Sequence, residues 1–240
     1  MRRVWKITAA LAGAVLVVFL VLLGLGVYTL YEYMHPVGRT TSLEPVEFII
    51  EGHHFRIPMA YIWEWEKWGG GEVVSINLKG SLPDLKPYSE ETKHYYERLD
   101  SLDPSPGLGE LVSFSIEGTD EGQIFLFESY FIDEFLQTCS GRQFGYRICP
   151  HDRYEDKEVF LKQEGRRKVV FECEKEGVGR TQYCVTYLPF LDAVELIIFI
   201  DRKKLHQSDQ IVQAVYRLVC GFYLGGAGCA VAYNYCNSGG

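Results

Sequence analysis

The chain has 240 residues, 47% hydrophobic and 23% charged, proportions of a folded protein that argue against extensive disorder. Three of the 24 basic residues (Arg2, Arg3, Lys6) and none of the 32 acidic ones fall in residues 1–30, so the remainder carries a net charge of about −11. Such a field repels phosphate backbones and speaks against a nucleic-acid partner; it suits a basic protein partner, or solubility alone.

Residues 7–31 carry no charge, and Leu11–Leu25 is almost wholly Leu, Val, Ala, Gly and Phe. At about 1.5 Å per residue a helix of this length reaches roughly 36 Å, enough to span a bilayer with some tilt. It shows no polar face of the kind a soluble helix keeps. A cleaved signal peptide has an apolar stretch of about 7–15 residues and a small-residue exit. Here the exit is Val27-Tyr28-Thr29-Leu30-Tyr31, bulky and aromatic, so an uncleaved transmembrane helix over 7–31 is the preferred reading. No Cys follows the stretch, which excludes a lipoprotein. Because Arg2, Arg3 and Lys6 precede the span, residues 1–6 form a cytoplasmic tail and the rest is exported.

Residues 32–44 read as a linker. Val46–Ile50 and His54–Ile57 read as strands around Glu51-Gly52, with Pro58 ending the second. Tyr61–Trp68 is aromatic-rich; on a strand, Tyr61, Trp63 and Trp65 would share one face. Gly69-Gly70-Gly71 is a turn, and Glu72–Leu78 alternates as a half-buried strand. Ser89, followed by Glu90 and Glu91, caps a helix running to about Leu99. Asp100–Gly109, with two Pro and two Gly, is a loop.

Leu111–Glu117 is a further strand. Ile124, Phe127, Phe131 and Phe135 at helical spacing predict a helix over Gly122–Leu136. Strands follow near Gln143–Ile148, Glu158–Gln163, Lys168–Glu174, Thr181–Leu188 and Ala193–Asp201. Glu195–Ile200 is apolar on both faces and should lie centrally. Leu205–Phe222 reads as an amphipathic helix with Ile211, Val212, Val215, Leu218, Val219 and Phe222 on one stripe. The sum is an α+β domain over 45–222, a largely antiparallel sheet with two or three helices, preceded by the transmembrane helix and followed by a Gly- and Cys-rich tail over 223–240.

Seven cysteines (139, 149, 173, 184, 220, 229, 236) lie on the exported side, where oxidation is possible. If the hairpin around Glu176-Gly177-Val178-Gly179 is symmetric, Cys173 and Cys184 fall opposite each other, close enough for a disulfide. Cys139 and Cys149 flank a short strand and could also pair. Buried thiols acting as small hydrophobes are the alternative.

No catalytic signature is present. The serines lack a Gly-x-Ser-x-Gly setting, and no phosphate-binding glycine loop occurs. His53 and His54 would point to opposite faces of a strand, so neither a metal site nor a cofactor is expected. The aromatic run Tyr61, Trp63, Trp65 and Trp68 is the candidate binding surface, for a protein partner or for stacking on sugar rings.

The segment Phe55-Arg56-Ile57-Pro58-x-x-Tyr61-Ile62, then Gly69-Gly70 and Leu82-Pro83-Asp84-Leu85, with Cys173, Cys184 and the helix Leu205…Ile211…Val215…Leu218 downstream, resembles a group of bacterial membrane-anchored periplasmic proteins. Some of these resemble immunity proteins that neutralise secreted antibacterial toxins. The resemblance covers most of residues 46–222. It implies an inner-membrane, single-pass protein with a periplasmic, non-enzymatic domain and a protein partner such as a toxin; an envelope sensor or glycan-binding module is the alternative. It departs from the pattern before Ile211, where Ser208-Asp209-Gln210 replaces an expected tryptophan, and in the cysteine-rich tail.

Overall fold

A Glu-Gly turn starts the folded unit. Glu51 and Gly52 both take left-handed backbone angles (φ 48° and 76°), the pair a two-residue hairpin turn needs. They join β1 (Pro45–Ile50) to β2 (His53–Pro58). The computed structural model describes residues 17–26, 39–63, 69–100, 108–119, 133–151, 153–164, 167–177 and 182–226. The chain divides into two units, Met1–Gly38 and Arg39–Gly240.

In the first unit, helix α1 covers 17–26, and its large apolar side chains are exposed. Among the described residues no helix is long and apolar enough to cross a membrane. Residues 7–16 and 27–31 of the expected span lie outside the described residues.

The second unit is α+β. β3 (Gly71–Glu72) pairs parallel with β1, giving the three-stranded order β2-β1-β3. The rest of the expected strand, split at 73–74, becomes β4 (Ser75–Ser81) of the large sheet. The split occurs because Gly70 brings the chain against β1: a Cβ there would lie 2.4 Å from the Glu47 carbonyl oxygen. After α2 (Lys93–Asp100) come β5 (Leu111–Gly118), α3 (Asp133–Leu136), β6 (Gly141–Gln143), β7 (Tyr146–Pro150), β8 (Lys157–Glu164), β9 (Arg167–Glu174), β10 (Tyr183–Leu191) and β11 (Val194–Asp201). The large sheet is antiparallel throughout, in the order β4-β5-β11-β10-β9-β8-β7-β6. As expected, β11 is internal. Much of the expected Gly122–Leu136 helix lies outside the described residues; Asp133–Leu136 is helical.

Two further expectations need correction. Gln143–Ile148 is not one strand but the β6–β7 hairpin, because Phe144 and Gly145 turn the chain with φ 52° and 84°. The C-terminal helix begins later than Leu205: Arg202–Gln207 is a 3-10 helix capped by the Asp201 carboxylate, which accepts from the Lys203 N–H at 2.8 Å. α4 proper is Ser208–Phe222.

The strands alternate, so the large sheet has two distinct faces. The first carries Ile76 and Leu78, Val112, Phe114 and Ile116, and Leu196, Ile198 and Ile200. It packs with the β1–β2 hairpin and with Ile211, Val212, Val215, Val219 and Phe222 of α4. Leu218, expected in the same stripe, is half-buried at its rim. Burying each such side chain contributes about 1.5–3 kcal/mol.

Candidate functional site

The second face carries the polar groups. Register places Ser75, Glu117, Glu195 and Pro189 in one row, Asn77, Ser115, Ile197 and Tyr187 in the next, and Lys79, Ser113, Phe199, Val185 and Glu172 in a third. Glu195 is 4% exposed, and its Oε1 has no hydrogen-bond partner. Burial, then the charge of Glu117 opposite it, pushes its carboxyl up to about 7. Burial also raises the Tyr187 hydroxyl, with Glu172 and then Glu195 adding to it. Glu195 thus sits on a poorly hydrated surface, opposite a second acid, that favours its protonated form. Ser113 and Ser115 stand in rows without a histidine, so no nucleophile–base pair forms there among the described residues.

The aromatic run departs from expectation. Tyr61 closes a short 3-10 helix, and Ile62 bridges Leu78. Tyr61 packs on the first face, its ring 5.3 Å edge-on from Phe222. Trp63 lies on the second, with the buried Lys79 ammonium 3.1 Å from its ring centroid and its indole N–H without a hydrogen-bond partner. Tyr61 and Trp63 therefore do not share a face, because the chain turns at 59–61 instead of running straight. Trp65 and Trp68 lie outside the described residues.

Both expected disulfides form. Cys173 and Cys184 are register partners and join β9 to β10, while Cys139–Cys149 ties the segment after α3 to β7. Cys220 is disulfide-bonded as well. His53 bonds the Tyr223 hydroxyl at 3.2 Å and the Asp192 carbonyl at 3.1 Å, roles that link β2 to the end of α4 and the β10–β11 turn. Among the described residues no group of three His, Cys, Asp or Glu could hold a metal.

A pocket of about 250 Å³ opens on the first face over Phe160. Arg202 lines it and is held by the Glu158 carboxylate at 3.0 Å and by Glu176 at 3.8 Å, with its guanidinium over the Phe160 ring. Burial raises the nearby Glu174 carboxyl, and the charge of Lys157 partly opposes this. Gln143 and Phe144 of the β6–β7 hairpin complete one wall.

Sequence reading missed the Glu117–Glu195 row, the Arg202 cluster and the edge hairpin. Glu195 alone carried a signal: it is a lone acid among the apolar residues Ala193–Ile200.

No protein-family model and no curated protein matches the chain. Two solved structures come out as similar to the chain. The immunity protein Smlt3025 of the Stenotrophomonas maltophilia type IV secretion system matches with a TM-score of 0.54 at 15% identity, covering 78% of this chain and 98% of that one. The Neisseria meningitidis iron-regulated outer membrane lipoprotein FrpD matches with a TM-score of 0.43 at 14% identity, covering 78% and 96%. At these identities the first likeness establishes the fold.

Proposed function

We propose that the chain is a non-enzymatic, protein-binding immunity protein, anchored by residues 7–31 in a bacterial inner membrane with its α+β domain in the periplasm, where it neutralises a delivered toxin. The observation that carries the reading is the fold likeness to an immunity protein over 78% of this chain. Two features support it. The disulfides suit an oxidising compartment. The side chains of α1, from Val17 to Leu25, are apolar and exposed, which suits contact with lipid.

Glycan binding is the weaker reading, since Trp63 is stacked on Lys79 and Tyr61 on Phe222. The test is calorimetric. The full chain in detergent is titrated with the product of the reading frame beside its gene. Nanomolar affinity is expected; no heat of binding with either neighbouring product removes the reading.

A further inference from the structure

We propose that β6, the outer strand at one end of the eight-stranded sheet, accepts an extended acidic segment of a protein partner as a ninth strand, its carboxylates seated on Arg142 and Arg147. This rests on the protein-partner reading above and supplies the surface and the chemistry it lacks.

Three observations meet at this hairpin. The first is the edge itself: among the described residues β6 pairs only with β7, and Gly141, Arg142 and Gln143 are all exposed. An open edge offers unpaired backbone donors and acceptors to another chain, and proteins usually blunt it. The second is charge. Arg142 and Arg147 are cross-strand partners, so their side chains leave the same face side by side. Like charges directly opposite each other destabilise a sheet. Neither arginine has a hydrogen bond or ion pair among the described residues.

Several other cations of this acidic chain are neutralised: Arg56 by Glu47 at 2.7 Å, Lys162 by Asp209 at 2.5 Å, Lys204 by Glu110 at 2.6 Å. The arginine pair is left for an outside anion. The third observation is Phe144 at the hairpin tip, 49% exposed and in the left-handed region at φ 52°. That conformation is unfavourable for a residue with a Cβ, and it leaves the aromatic ring half in solvent, beside the His206 ring at 5.7 Å.

The two faces of the edge then divide the work. Side chains of an added strand alternate between faces. One set meets the two arginines, whose planar guanidinium groups suit carboxylates. The other set points to the first face, where Gln143, Phe144 and Lys203 border the pocket.

The probe is a fluorescein-labelled peptide of alternating glutamate and threonine, read by anisotropy against the full chain in zwitterionic detergent. It should bind about tenfold or more tightly than the same peptide with lysine for glutamate, and about tenfold more tightly than one with proline at alternate positions, which cannot pair as a strand. Arg142→Glu with Arg147→Glu should abolish the difference. Arg142→Gln with Arg147→Gln, which removes the charge and keeps a polar side chain, should weaken it even if the reversal fails to fold. Equal binding of the glutamate and lysine peptides, or indifference to both pairs of substitutions, overturns the proposal. So does equal binding of the proline peptide, or of oligothymidylate, which would mark a general polyanion site. The assay needs no toxin, so its failure removes the edge site and leaves the immunity reading standing; failure of the toxin titration leaves the peptide result intact.

Discussion

Glu195→Gln should stabilise the protein at high pH and leave it unchanged at low pH. Glu195 is nearly fully buried beside Glu117, with its carboxyl raised from the ordinary 4.5 to about 7. Between those values the folded state binds the proton and the unfolded state releases it. Stability therefore falls as pH rises through this window and levels off above it. At about 1.4 kcal/mol per tenfold, the full separation corresponds to an upper bound of about 3 kcal/mol. The amide carries no charge, so it escapes this penalty. Unfolding free energies of the two forms, extrapolated from urea titrations, should coincide near pH 3 and differ by about 2–3 kcal/mol near pH 8, with unchanged transition slopes. A difference that is constant across pH would refute the reasoning, since it would show that Glu195 does not titrate between the two states.

Three other outcomes follow from the packing. Replacing Cys173 and Cys184 together by alanine opens a crosslink of sequence separation 11 and should cost about 2–3 kcal/mol in denaturant unfolding; reductant should mimic the loss in the wild-type chain and have less effect on the variant. Gly80→Ala puts a Cβ about 3.0 Å from the Leu85 backbone, so the 81–86 turn must shift, and a loss of about 1–3 kcal/mol is expected in thermal melts. Arg202→Met leaves the Glu158 carboxylate without its 3.0 Å partner and should cost about 3 kcal/mol, much of it restored by adding Glu158→Leu, as a double-mutant cycle would show.

Much of the sheet was legible because its strands alternate strongly and its turns carry their own chemistry. Glu51-Gly52 marked the first hairpin, and the spacing of Cys173 and Cys184 about Glu176-Gly177-Val178-Gly179 pointed to their register. α4 was legible from its stripe, though not its start, because Asp201 caps a 3-10 turn before the helix and periodicity cannot separate the two. The β6–β7 hairpin was missed because Phe144, not Asn or Gly, occupies its first left-handed position. The aromatic run was misread because the 3-10 turn at Met59–Tyr61 interrupts the extended backbone just before Ile62 bridges Leu78, which leaves Tyr61 and Trp63 on opposite faces. The Glu117–Glu195 row and the Arg142–Arg147 pair depend on which strands become neighbours. For β5 and β11 that neighbourhood joins Glu117 to Glu195, 78 positions further along the chain, and local pattern does not encode it.

The most direct measurement is survival in competition. Cells lacking this gene are grown against neighbours that deliver the adjacent toxin, and are complemented either with the full chain or with residues 39–240 retained in the cytoplasm. The account predicts protection by the anchored, exported form alone. Equal protection by the cytoplasmic form, or no protection by either, would contradict it.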